Sequence, residues 1–200
     1  MRNNNNNHKT PKLKMPSKAT LSSRKSTINN AFAHSIVPYI RPNDDEYEKY
    51  AFKDEFEKKQ CVYCGAPAQS MDHFQSIIKE KDPSGYITDI RNLVPCCAKC
   101  NSSKGSKEFS EWYGLPETKD YIKAQNHFTT ETMIEQNHDR IASHFKKNPP
   151  IQYDFKSIVG QEEWEEFLNM KKELLEQIEK CQEKCKEIAE KISKQTKQDG

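Results

Sequence analysis

Cys61-Val62-Tyr63-Cys64, Met71-Asp72-His73-Phe74, Arg91-Asn92-Leu93-Val94-Pro95 and Cys97-Ala98-Lys99-Cys100-Asn101-Ser102-Ser103-Lys104-Gly105 follow one another within 45 residues, and their reading decides the fold. The first and last segments are CxxC knuckles separated by 32 residues. Each knuckle presents two thiolates, and two knuckles complete a closed four-sulfur site of the kind that holds a structural zinc. Cys61, Cys64, Cys97 and Cys100 are the expected ligands. Cys96 is left over; it could replace Cys97, but only 97 and 100 repeat the spacing of the first knuckle. Gly65 suits a tight turn that needs positive φ. A redox dithiol uses one CxxC rather than two. A zinc of this kind contributes roughly 10–16 kcal/mol in small peptides, enough to hold a short module that lacks a core of its own.

Outward from the knuckles, the composition is lean. Hydrophobic residues make up 34% and charged residues 31% of 200, which predicts one small core with exposed helix around it. The seven cysteines, an odd number with no secretory pattern before them, argue against a disulfide framework and for metal. No apolar run approaches the length of a membrane span, so a cytoplasmic protein is expected. The net charge of +2 hides an asymmetry: Arg2, Lys9, Lys12, Lys14, Lys18, Arg24, Lys25 and Arg41 precede the first acid, Asp44. A basic arm on an acidic remainder suits a polyanion partner.

The chain divides into a low-complexity arm expected to be disordered (1–30), a central domain (31–150) and a C-terminal helix (151–200). Residues 36–40 form a short apolar run that reads as a strand or as the first ordered contact. Asn43 reads as an N-cap, with Asp44, Asp45 and Glu46 in the first turn. The helix it opens is expected to run to Lys58–Lys59 and to bury Tyr47, Tyr50, Ala51 and Phe56. Residues 61–105 read as turn, strand, loop, strand, helix. A helix over 131–146, with Ile134, Ile141 and Phe145 at helical spacing, is closed by Pro149–Pro150. His127, His138 and His144 read as helix-surface residues. Trp164, Phe167, Lys171, Leu174, Ile178, Cys181, Cys185, Ile188 and Ile192 then alternate three and four apart. Such a seam either dimerises as a coiled coil or folds back on its own domain.

The residues between and after the knuckles resemble the HNH (ββα-metal) nuclease motif, in which one strand ends in Asp-His, a second carries Asn and a helix carries a further metal-facing residue. The resemblance covers 61–105. A looser likeness to HNH-type II restriction endonucleases extends from Pro38-Tyr39-Ile40-Arg41-Pro42 to Trp112. It implies an α+β, mainly helical fold with the zinc-stapled motif embedded among helices. It also implies metal-dependent hydrolysis of DNA phosphodiesters. His73 would be the general base, since imidazole titrates near neutral pH. Asp72 points to the opposite face of the strand, so both act together only if the strand end twists. By resemblance Asp72 and Asn101 bind the catalytic cation. Asn stands at 101 where many relatives have His, which suits Mg²⁺, with Mn²⁺ the alternative. Asn92 would tie down the loop that carries His73. Lys104 would meet a phosphate, with Lys99, Lys107, Arg91 and Arg41 adding positive charge for DNA. A homodimer cutting a palindromic site in double-stranded DNA is the leading expectation. A non-specific, nicking, homing or phage nuclease is the alternative, and a non-catalytic zinc-stapled DNA-binding module a third.

Overall fold

The computed structural model describes residues 16–17 and 19–198. The greater part of the basic arm, residues 1–15 and Lys18, lies outside them. The described residues divide into two compact units, 26–174 and the described parts of 1–25 and 175–200.

The larger unit is mainly helical with two small antiparallel sheets. Helix α1 (Lys25–Ile36) is followed by α2 (Asp44–Lys49) and α3 (Lys53–Glu57). Strand β1 (Ser70–His73) pairs antiparallel with β4 (Leu93–Cys96), placing Asp72 opposite Val94 and His73 opposite Leu93. A hairpin of β2 (Ile78–Lys79) and β3 (Asp82–Pro83) lies between them in sequence. Helix α4 (Ala98–Lys104) leaves β4 directly. It is followed by α5 (Phe109–Tyr113), α6 (Pro116–Ala124), α7 (Glu131–Lys147), α8 (Phe155–Val159) and the long α9 (Gln161–Gln198). The expected turn, strand, loop, strand, helix order of 61–105 is present.

The core forms around the β1/β4 pair. Phe52, Val62, Tyr63, Val94, Trp112, Tyr113, Ile122, Ile134 and Ile141 are at most 1% exposed. Phe74 stacks on Phe145 of α7 at 3.5 Å between ring centroids. A second cluster of Val37, Ile77 and Ile87 is flanked by Tyr86, Tyr153 and Phe155.

Three expectations need correction. The arm is not unstructured to residue 30: Ser22–Arg24 form a 3-10 turn and α1 begins at Lys25, burying Asn29 and Ala33. The run 36–40 is not a regular strand, because α1 continues to Ile36 and only Tyr39 makes a bridge, to Thr88. The helix opened by Asn43 has its capping box with Glu46, yet ends at Lys49, where Tyr50 turns extended. Burial explains the break. Tyr50 donates its hydroxyl to the Leu93 carbonyl and Phe52 enters the core, while Ala51 and Phe56 stay exposed.

The seam of α9 is used in part. Within the larger unit, Trp164 packs on Phe167 and Phe167 on Phe32. Lys171 is buried and donates to Asp82 and to the Lys81 carbonyl. In the smaller unit the Gln182 side chain accepts from the Leu21 amide at 2.7 Å, and Lys25 pairs with Glu179. Cys181, Cys185, Ile188 and Ile192 are exposed.

Candidate active site and metal centre

The first knuckle is a hydrogen-bonded turn. The Cys61 amide donates to the Ala66 carbonyl (2.7 Å) and the Gly65 amide to the Cys61 carbonyl (2.8 Å). Gly65 has φ of +74°, and a Cβ there would lie 2.2 Å from the His127 ring. His127 is thus a loop residue against the knuckle rather than a helix-surface one. The second knuckle forms the start of α4, where Cys97 is the N-cap and its sulfur accepts from the Cys100 amide. Leaving β4 at Cys96 turns Cys97 toward the first knuckle. The Cys96 sulfur sits instead against Ser70 Oγ at 3.5 Å, and burial pushes its thiol up to about 12.

The sulfurs of Cys61, Cys64, Cys97 and Cys100 lie within 4.8 Å of one another, and all four residues are buried. Zinc–sulfur bonds of about 2.3 Å in a tetrahedron give sulfur–sulfur edges of about 3.8 Å, and Cys64 and Cys97 are 3.8 Å apart. Hydrogen bonds among the sulfurs, those with Cys100 first, pull Cys61 and Cys97 below the ordinary thiol range, while Cys100 is pushed above it by Cys61. Four buried sulfurs at this spacing carry full charge only around a cation, and the cluster is compatible with zinc.

The knuckle carbonyls are held from beyond the motif. Asn137, on the buried face of α7, donates to the carbonyls of Val62 (3.0 Å) and Tyr63 (3.3 Å), and Tyr113 donates to that of Tyr63 at 3.0 Å. Asn137 was visible in the sequence only as a polar residue between Ile134 and Ile141.

His73 closes β1 and is partly exposed. Its Nε2 lies 2.8 Å from Thr88 Oγ1. Burial, with smaller contributions from His34 and Lys104, pushes its pKa down to about 4, so the ring is neutral at neutral pH. Nothing in the sequence marked Thr88, a loop residue, as its partner. Asn92 is 1% exposed. Its side chain accepts from the Gln75 amide (2.8 Å) and donates to the carbonyls of Gln75 (3.0 Å) and Ile87 (3.1 Å). It therefore joins the segment after His73 to the segment before Thr88.

Ser70 and Asp72 share one face of β1, two residues apart, and α4 covers that face. The Asn101 amide donates to Ser70 Oγ at 3.3 Å, and one turn later Lys104 meets Asp72. Asp72 is 5% exposed and accepts from the Tyr63 hydroxyl at 2.8 Å. Its carboxyl is pushed up by burial, which outweighs the opposing pull of Lys104 and Tyr63.

Lys104 overturns the expectation of a phosphate contact. Its side chain is 0% exposed, with Nζ 3.2 Å from Asp72 Oδ2 and 2.7 Å from the His73 carbonyl, to which it donates. An unpaired buried ammonium is costly, and the strand end supplies both its partners. Lys99, Lys107, Arg91 and Arg41 are exposed, although Arg91 is paired with Asp89 and Lys107 donates to the Ser103 carbonyl.

A carboxylate and an amide oxygen on adjoining elements suit a hard cation. The Lys104 ammonium already stands against the carboxylate as a positive group. Among the described residues, the four cysteines are the one group of three or more His, Cys, Asp or Glu placed to hold a metal ion. No helix among those residues is long and apolar enough to cross a membrane.

Residues 61–107 match the family model of the HNH endonuclease domain. The CRISPR-associated endonuclease Cas9 of Corynebacterium diphtheriae is 30% identical over 79 aligned residues, which cover 36% of this chain and 7% of that protein. No solved structure matches the chain. The expected HNH nuclease domain is therefore present.

Proposed function

We propose that this protein is a cytoplasmic metal-dependent endonuclease that hydrolyses DNA phosphodiesters at His73. The observation that carries the reading is the placement of that residue: at a strand end inside the stretch that matches the HNH endonuclease model, its ring against Thr88 and the loop after it held by Asn92. In the tautomer whose Nε2 donates to Thr88, Nδ1 keeps the lone pair and would take the proton from the attacking water. The zinc ligands Cys61, Cys64, Cys97 and Cys100 keep β1, β4 and α4 together. Asp72 and Asn101 would hold the catalytic Mg²⁺, with Mn²⁺ the alternative. That ion supplies Lewis-acid stabilisation of the scissile phosphate and leaving oxygen when bound. Lys104 fixes the Asp72 carboxylate and the His73 carbonyl together, so the acid and the base keep one relative geometry. Lys99, Lys107, Arg91 and Arg41 supply positive charge for the DNA backbone.

The finer reading is a type II restriction enzyme acting on double-stranded DNA as a homodimer. Two centres are needed to cut both strands of a palindrome, and the exposed seam at Cys181, Cys185, Ile188 and Ile192 gives a surface for pairing. Digestion of plasmid and phage DNA in Mg²⁺, Mn²⁺ and EDTA, beside His73→Ala, tests the proposal. Discrete metal-dependent fragments that vanish in the variant are the expected result, and a smear or nicked circles would remove the restriction reading alone. Intact DNA in every metal, or cleavage by His73→Ala near the wild-type rate, would overturn the assignment.

A further inference from the structure

Tyr39 is 75% exposed, the largest exposure among the large hydrophobic residues described. Among the described residues its side chain makes no hydrogen bond or ring contact, although its backbone is firmly placed. Residues 38–40 run beside Thr88, with the Ile40 amide donating to the Thr88 carbonyl (2.8 Å) and the Thr88 amide to the Pro38 carbonyl (3.1 Å). Tyr39 and Thr88 are partners in a parallel bridge. Bridge partners put their side chains on the same face, and the Thr88 hydroxyl on that face touches His73 Nε2. The alternation is visible from the other side as well. Pro38, Ile40 and Ile87, the sequence neighbours of Tyr39 and Thr88, line an apolar cavity of about 470 Å³ that neither Tyr39 nor Thr88 enters. The Tyr39 ring therefore stands on the face that carries His73, with exposed Arg41 two residues along.

We infer that Tyr39 is a stacking platform for a nucleobase beside the phosphate cut at His73. The substrate class it selects is DNA whose base at that point is unpaired: single-stranded, or duplex opened at that pair. An aromatic face binds any base that is out of the helical stack, and a paired base has no face to offer. This rests on the nuclease reading above and not on its finer restriction reading, against which a preference for unpaired DNA would count. The Tyr39 backbone is paired to the residue that touches His73, so the ring acts on whichever nucleotide occupies the site, without reading its sequence.

The test uses the zinc-loaded full chain with no added Mg²⁺ or Mn²⁺, where nothing is cut, and short oligonucleotides carrying 2-aminopurine at several positions, either single-stranded or in matched duplex. Wild-type protein should bind the single strand more tightly than the duplex and quench its fluorescence. Tyr39→Ala should weaken single-strand binding about 10-fold and lose the quench, while Tyr39→Phe, which keeps the ring, should retain both. Wild-type affinity and quench in Tyr39→Ala, or equal wild-type affinity for paired and unpaired DNA, would overturn the stacking role and leave the nuclease intact. Wild-type protein that neither binds these DNAs nor cleaves plasmid would overturn the nuclease reading, and the stacking role with it.

Discussion

Replacing Lys104 with methionine should destabilise the fold by about 3–5 kcal/mol at neutral pH, because it strands a buried carboxylate. The lysine side chain is 0% and that of Asp72 6% exposed, so water cannot replace the lost partner. The Tyr63 hydroxyl remains as one donor to Asp72. The penalty also has a ceiling, since Asp72 can escape by taking up a proton. From an ordinary aspartate value near 3.9, protonation at pH 7 costs about 4 kcal/mol. The two figures agree, so the variant should fold with Asp72 largely neutral. The sign of the pH dependence follows. In the variant the folded-state pKa of Asp72 lies above its unfolded value, so the folded state binds more protons there. Acidification then narrows the deficit against wild type by up to about 1.4 kcal/mol per pH unit. Urea denaturation of zinc-loaded wild type and variant, side by side at pH 7 and pH 6, measures both quantities. Adding Asp72→Asn should recover most of the loss, since the amide carries no charge to bury. A deficit under about 1 kcal/mol, or one that widens as pH falls, would refute the buried pair.

Two further outcomes are expected. Asn92→Ala removes three hydrogen bonds between residues 75, 87 and 92. It should cost about 3 kcal/mol in urea denaturation and slow cleavage, because the loops on either side of His73 lose their tie; a variant with wild-type stability would contradict this. Cys97→Ser should lower bound zinc, measured by elemental analysis, and collapse the melting transition. One zinc per chain with an unchanged melt would remove Cys97 from the ligand set.

What the sequence made legible was mostly short-range. The knuckles, the Asp-His pair and the capping box at Asn43 each depend on residues a few positions apart, and their spacing carries the geometry. Asn92 was legible through resemblance alone, yet its three hydrogen bonds fall where a loop tie must. Lys104 was misread for a physical reason. Three residues after Asn101 on a short helix, it looks like solvated charge, and the groups that bury it arrive from β1, 31 and 32 positions earlier. The break after Lys49 is of the same kind: helix propensity runs on to Lys59, but the Tyr50 hydroxyl reaches Leu93, 43 residues away. Thr88 touches His73, and Tyr39 is joined to Thr88 by backbone pairing between two loops, for which no periodicity exists to read.

Asn137 sets how far the nuclease module can be cut down. The family match ends at residue 107, but the carbonyls of the first knuckle are held by an amide on α7, thirty residues later. A fragment stopped at 107 would leave those carbonyls to water and strip Trp112, Tyr113, Ile122 and Ile141 from the core around the four-cysteine cluster. Grafting this candidate site into another protein therefore means carrying the chain through Lys147. The portable unit is defined by one buried amide rather than by the borders of the recognisable motif.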